Sequence, residues 1–79
     1  MTRCGISRMP IRDGDGYQWG GEYVLTFPVI DRAGSGPPEM SGKAMAIVLG
    51  SRQADALTAS FLCEAINARI EQTFLNVNK

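Results

Sequence analysis

Apolar and polar positions alternate every second residue in three stretches of this chain, and then change to a helical period. The clearest alternation is "GGEYVLTFPVI", where Tyr23, Leu25, Phe27 and Val29 share one face while Glu22, Val24, Thr26 and Ile30 share the other. It predicts a strand over about 17–30, with a bulge at Gly20–Gly21 joining it to Tyr17 and Trp19. Pro28 cannot donate to a ladder, so that end is expected at a sheet edge or at the strand's finish. Before it, Cys4 and Ile6 alternate with Arg3 and Ser7, which predicts a strand over about 2–9, weakened by Gly5. The intervening "RDGDG" favours a hairpin bending at Asp13–Gly16, since Asp and Gly tolerate positive φ. A third strand, about 43–49, is "KAMAIVL". Its Met45, Ile47 and Leu49 face one way and Ala44, Ala46 and Val48 the other. Apolar residues on both faces suggest the centre of a sheet or a second covered surface.

From residue 52 to about 74 the period becomes helical, with Ser51 as the expected cap and Asp55 favouring the positive helix end. On a wheel of ~100° per residue, Gln53, Ser60, Glu64, Asn67 and Glu71 gather in a narrow polar arc. The rest is mostly apolar and forms two stripes. Ala54, Leu57, Phe61, Ala65 and Ala68 make one; Ala59, Leu62, Cys63, Ile66, Ile70 and Phe74 make the other. Such a helix runs ~33 Å at ~1.5 Å per residue. Strands of this length cover only ~25 Å, so Ile70, Phe74 and Leu75 are expected to overhang the sheet. The second stripe, through Leu62, Ile66, Ile70 and Phe74, is therefore the expected self-association surface, most simply across a two-fold axis. The competing expectation is that the N-terminal segment or the tail folds back over it.

These elements make a single domain over 1–79 of the α+β class. Three antiparallel strands, or four, pack on one long C-terminal helix. At this length the core is thin. Eight basic residues balance eight acidic ones, which argues against direct nucleic-acid binding and against a polybasic membrane anchor. With no apolar run of membrane-spanning length and no signal-like start, the chain is expected to be soluble and cytoplasmic. Cys4 and Cys63 are expected as reduced thiols.

Chemistry narrows quickly. The sequence has no histidine, which removes Ser-His-Asp and Cys-His catalysis and histidine-bound metals. Two cysteines cannot make a structural zinc site. "DGDGY" begins like a calcium loop, but the twelfth position, which needs a bidentate Glu, is Val24. The glycine pairs lack the Lys-Ser/Thr ending of a phosphate loop. "LGSRQ" offers a strand-to-helix junction beside Arg52, read first as an ordinary cap and second as an anion site. Neither Asp13 with Asp15 nor Glu64 with Glu71 suggests a desolvated acid–base pair, and Cys4 beside Arg3 is the only candidate for an activated thiol. No catalytic residue, metal or cofactor is expected. Binding has better candidates. Tyr17 and Trp19 with Arg8 and Arg12 place aromatic rings beside guanidinium groups across the hairpin, the residue types that dominate interface hot spots. Asp31, Arg32 and Glu39 in the loop at 31–42 form a second, charged candidate.

The run "EYVLTFPVIDRAGSGPPEMSGKAMAIVLGS" into "ADALTASFLCEAINARIEQ" resembles small orphan proteins of phages and mobile elements. Among these, anti-CRISPR and related anti-defence inhibitors are compact binders that block a large host complex. The resemblance covers roughly the C-terminal three quarters. It implies a non-enzymatic inhibitor working in the host bacterial cytoplasm on a protein partner such as a CRISPR-Cas or other defence complex, and it assigns no residue. The neutral charge favours shape and aromatic contacts over nucleic-acid mimicry. The alternative expectation is a small regulatory or ligand-binding module acting as a homodimer, with its ligand between sheet and helix.

Overall fold

In the computed structural model, the described residues are 2–14 and 16–74, with the side chains of Arg12, Asp13, Tyr17, Gln18 and Trp19 left outside the description. Strands β1 (Gly5–Asp13), β2 (Gly16–Asp31) and β3 (Glu39–Val48) precede helix α1 (Gln53–Phe74). The sheet is antiparallel in the order β1-β2-β3, so the class is the expected α+β with three strands and one long helix. Gly14, at φ 52°, turns the first hairpin.

A bulge interrupts that hairpin, because Arg8 pairs with Tyr23 whereas Pro10 pairs with Trp19. The extra residues of β2 fall at Gly20–Gly21, as the sequence suggests. A β-carbon on Gly21 would lie 2.6 Å from the Met9 carbonyl oxygen, so only glycine fits. The Arg8 guanidinium fastens the bulge, donating to the Gly20 carbonyl at 2.9 Å and the Gly21 carbonyl at 3.2 Å. It also lies 4.6 Å from the centre of the Tyr23 ring.

Pro28 departs from expectation: it is buried within the central strand and pairs with Ala44. The ladder explains how. Tyr23 donates to the Gly50 carbonyl and accepts from the Leu49 N–H, so it aims both groups toward the β3 side. Successive residues of a strand aim to alternate sides, hence Val24, Thr26 and Pro28 aim toward β1. The β1 ladder ends where Gly5 pairs with Thr26. The missing N–H of Pro28 therefore falls beyond that ladder and breaks no bond.

The second connection is shorter than the sequence suggests, because β3 already begins at Glu39. Gly34 (φ 59°) turns it, and the Gly36 N–H donates to the Ala33 carbonyl at 3.0 Å. A second bulge, around Gly42 (φ 80°), is held by the Ser41 hydroxyl, which donates to the Val29 carbonyl at 2.8 Å.

The helix is capped from Arg52 rather than Ser51. The Arg52 carbonyl accepts from the N–H groups of Asp55 and Ala56, and the Asp55 carboxylate accepts the Arg52 N–H at 3.0 Å. A β-carbon at Gly50 would displace that carboxylate from its place.

The helix lies on β2 and β1 and does not reach across to β3. Ala59 and Ile70 are buried, with Cys63, Ile66, Asn67 and Phe74 half-buried along the same line. Asn67, expected in the solvent-facing polar arc, instead clasps the N-terminal segment. Its amide oxygen accepts the Cys4 N–H at 2.7 Å and its amide nitrogen donates to the Cys4 carbonyl at 3.1 Å. The Cys63 thiol donates to that carbonyl as well, at 3.3 Å.

Among the described residues the core is correspondingly small: Cys4, Val24, Leu25, Ala59 and Ile70, with Leu25 and Ala59 fully enclosed, and Pro28 buried as well. The radius of gyration is 15.6 Å, against about 11.6 Å for a compact domain of this length. The accessible surface is 6046 Å², whereas a compact monomer of 8.6 kDa exposes about 4,700 Å². Roughly 1,300 Å² is surplus by that comparison.

Candidate protein-interaction surface

Exposed apolar side chains are spread over the sheet, with Ile6, Met9 and Ile11 on β1 and Ile30 on β2 at 41–46%, but two surfaces carry the most exposed ones. The first is the outer stripe of α1. Leu57 is 67% exposed, Phe61 78% and Leu62 40%; Ala54, Ala65 and Ala68 are exposed beside them. At 100° per residue Phe61 points almost directly away from the line through Ala59, Cys63, Ile66 and Ile70. The second stripe, Leu62 apart, is thus covered within the chain, as in the alternative in which the N-terminal segment folds back over it, and the first stripe is left open. Of the anticipated self-association residues, Leu62 is open, Ile66 and Phe74 are half-buried and Ile70 is buried within its own chain. The N-terminal segment at Cys4 helps cover that line, so Ile70 does not overhang. Leu75 lies outside the described residues.

The second surface is β3. Met45 is 54% exposed and Ile47 44%, and they share one face; Val48, on the other, is 55% exposed. An edge strand therefore carries bare apolar side chains on both sides.

The charged and aromatic candidates do not form one site. Arg8 is half-buried and spends its guanidinium on the bulge. The side chains of Arg12, Tyr17 and Trp19 lie outside the described residues. Asp31, Arg32 and Glu39 are exposed at the far end of β2, roughly 50 Å from its start for a strand of this length. Asp31 and Glu39 face each other in the ladder, a like-charge pairing, and the Asp31 carboxylate accepts the Arg32 N–H at 2.7 Å. These three do come together, as an exposed loop base.

The anion reading of "LGSRQ" meets an occupant already there, since the Asp55 carboxylate takes the Arg52 N–H. Of the calcium-loop positions, the side chain of Asp13 and the whole of Asp15 lie outside the described residues. Among the described residues no three His, Cys, Asp or Glu gather as a metal site, and no helix is long and apolar enough to cross a membrane. The Cys4 thiol is pushed up to about 11, by burial first and then by the adjoining Cys63 thiol. That keeps it protonated and a poor nucleophile at neutral pH. A groove of about 470 Å³ opens beside the last helical turns, between Arg3, Met40, Ile70 and Phe74.

Comparison with protein-family models, curated protein sequences and solved structures finds no match for this chain.

Proposed function

We propose that this chain is a non-enzymatic inhibitor that docks on a protein partner and occludes it, in the manner of the anti-defence proteins of phages and mobile elements. The observation that carries the reading is the outer helix stripe, where Leu57, Phe61 and Leu62 project into solvent at 67%, 78% and 40% exposure. A helix held rigidly against a sheet, offering anchors at i, i+4 and i+5, has the form that enters an apolar groove on a partner. Burying a Phe and two Leu side chains is worth roughly 1.5–3 kcal/mol each, enough to dominate a small interface. The occupant is a foreign protein with an apolar groove. A CRISPR-Cas effector or another host defence complex is the proposed class.

Phage plating on bacteria carrying defined defence systems tests this. Expression of the chain should raise plating efficiency by orders of magnitude against at least one system, and Phe61→Asp should abolish the gain without lowering the melting temperature. No gain against any system, or a gain indifferent to Phe61→Asp, overturns the proposal.

The groove near Ile70 supports a second reading, a regulatory module that holds a small ligand, since its volume falls in the ~300–1,000 Å³ range of ligand sites. Native mass spectrometry of the purified chain should then show a bound small molecule that Ile70→Trp displaces.

A further inference from the structure

Among the described residues no strand pairs with the outer edge of β3, and that edge has a property separate from the helix stripe. Leu49 aims its N–H at Tyr23 on β2, so by strict alternation Met45 and Ile47 also aim inward, toward their partners Phe27 and Leu25. Ala44, Ala46 and Val48 then aim their N–H and C=O groups outward from the sheet. The stretch bearing them holds no charge and no proline. It is bounded by the Gly42 bulge before and the Gly50 turn after. An edge so unprotected is a template for another strand.

We propose that this template takes a second copy of the chain, β3 pairing antiparallel with β3 about a two-fold axis through Ala46, to make one continuous six-stranded sheet. The register follows from the outward groups. With Ala46 opposite Ala46 of the copy, Ala44 falls opposite Val48, and all three residues exchange both backbone groups with the copy. Met45 then meets Ile47 in the closer, non-hydrogen-bonded position, where apolar pairs gain most. Small Ala46 at the axis lets the two strands approach, and no like charges oppose each other. The two-fold sets both helices on one face of the sheet, so two Phe61 stripes point the same way. A bivalent partner would then bind with avidity.

The test is the solution mass of the full chain by light scattering or sedimentation at micromolar concentration. The parent should run at twice 8.6 kDa. Ala46→Pro removes one outward N–H and no bond of the monomer's ladder, so it should run at the single-chain mass with an unchanged circular-dichroism spectrum. Should that variant unfold, Ala46→Asp, which sets two carboxylates together at the axis, serves instead. Ala46→Cys should cross-link to itself under oxidation. A monomeric parent, or a dimer that survives both substitutions, overturns the proposal. So does a dimer broken by Phe61→Asp but not by Ala46→Pro, which would place the contact on the helix. Phage plating reads the helix stripe alone, so failure of either proposal is visible without the other.

Discussion

The two edges of this sheet are built on opposite terms. β1 carries Arg8, Pro10, Arg12 and Asp13 along its length and a bulge in its middle, all of which discourage a further strand. It is also tied down, with Cys4 clasped by Asn67 and the helix lying over it. β3 has its bulge and its lysine confined to one end, and then five uncharged residues, Ala44 to Val48, that the helix does not cover. With so few side chains buried among the described residues, the contrast shows where folding is completed within the chain and where it is left for association.

Substitutions on the covered side should be the most costly. Leu25→Ala truncates the largest fully enclosed side chain among the described residues and should lose about 3 kcal/mol in urea unfolding, most of a small domain's stability. Met45→Ala, at the exposed edge, should lose almost nothing in a chain made monomeric by Ala46→Pro. If the two costs were equal, the division between a finished and an unfinished side would be wrong.

Next in size is the clasp. Asn67→Ala leaves the Cys4 N–H without its partner and should cost about 2 kcal/mol in the same measurement, with faster hydrogen exchange at Cys4 and Gly5. Asn67→Asp can still accept from the Cys4 N–H but cannot donate to its carbonyl, and should fall between parent and Ala.

Charge at the edges sharpens the comparison further. Val48→Lys and Ile6→Lys place the same ammonium group on β3 and on β1, at sites 55% and 41% exposed. The first should halve the solution mass and the second should leave it unchanged. Equal effects would mean that β1, too, is an association edge.

The smallest effect is on pH. Cys4 ionises near 9.0 when unfolded and is pushed up to about 11 in the fold, so the folded state favours the protonated thiol. Its contribution to stability is therefore fully present below pH 9 and declines as pH rises from about 9 to 11. Native alkylation of Cys4 at pH 8 should be much slower than that of the unfolded chain, and Cys4→Ala should flatten the alkaline limb of the stability profile.

Much of this architecture is legible along the chain. The alternation at 22–30 and 43–49, the glycine pair of the bulge, the hairpin at Asp13–Gly16 and the helical period after residue 52 are local signals, and each element stands near where they point. What escapes has non-local causes. Pro28 sits mid-strand only because β1 stops short of it. Asn67 turns inward only because Cys4, 63 residues away in sequence, presents both backbone groups to it. β3 starts early because Ser41 and Gly42 build a bulge against Val29.

Periods of two and of 3.6 belong to the backbone itself, so the residues alone determined three strands, one helix and a helix with two apolar stripes. They also placed apolar residues on both faces of β3. Which stripe would meet the sheet was not theirs to decide, because both were oily enough. Tertiary packing chose the line through Ala59, Cys63, Ile66 and Ile70, where the Cys63 thiol and the Asn67 amide bond the Cys4 backbone. That choice turned Leu57 and Phe61 outward and left β3 bare.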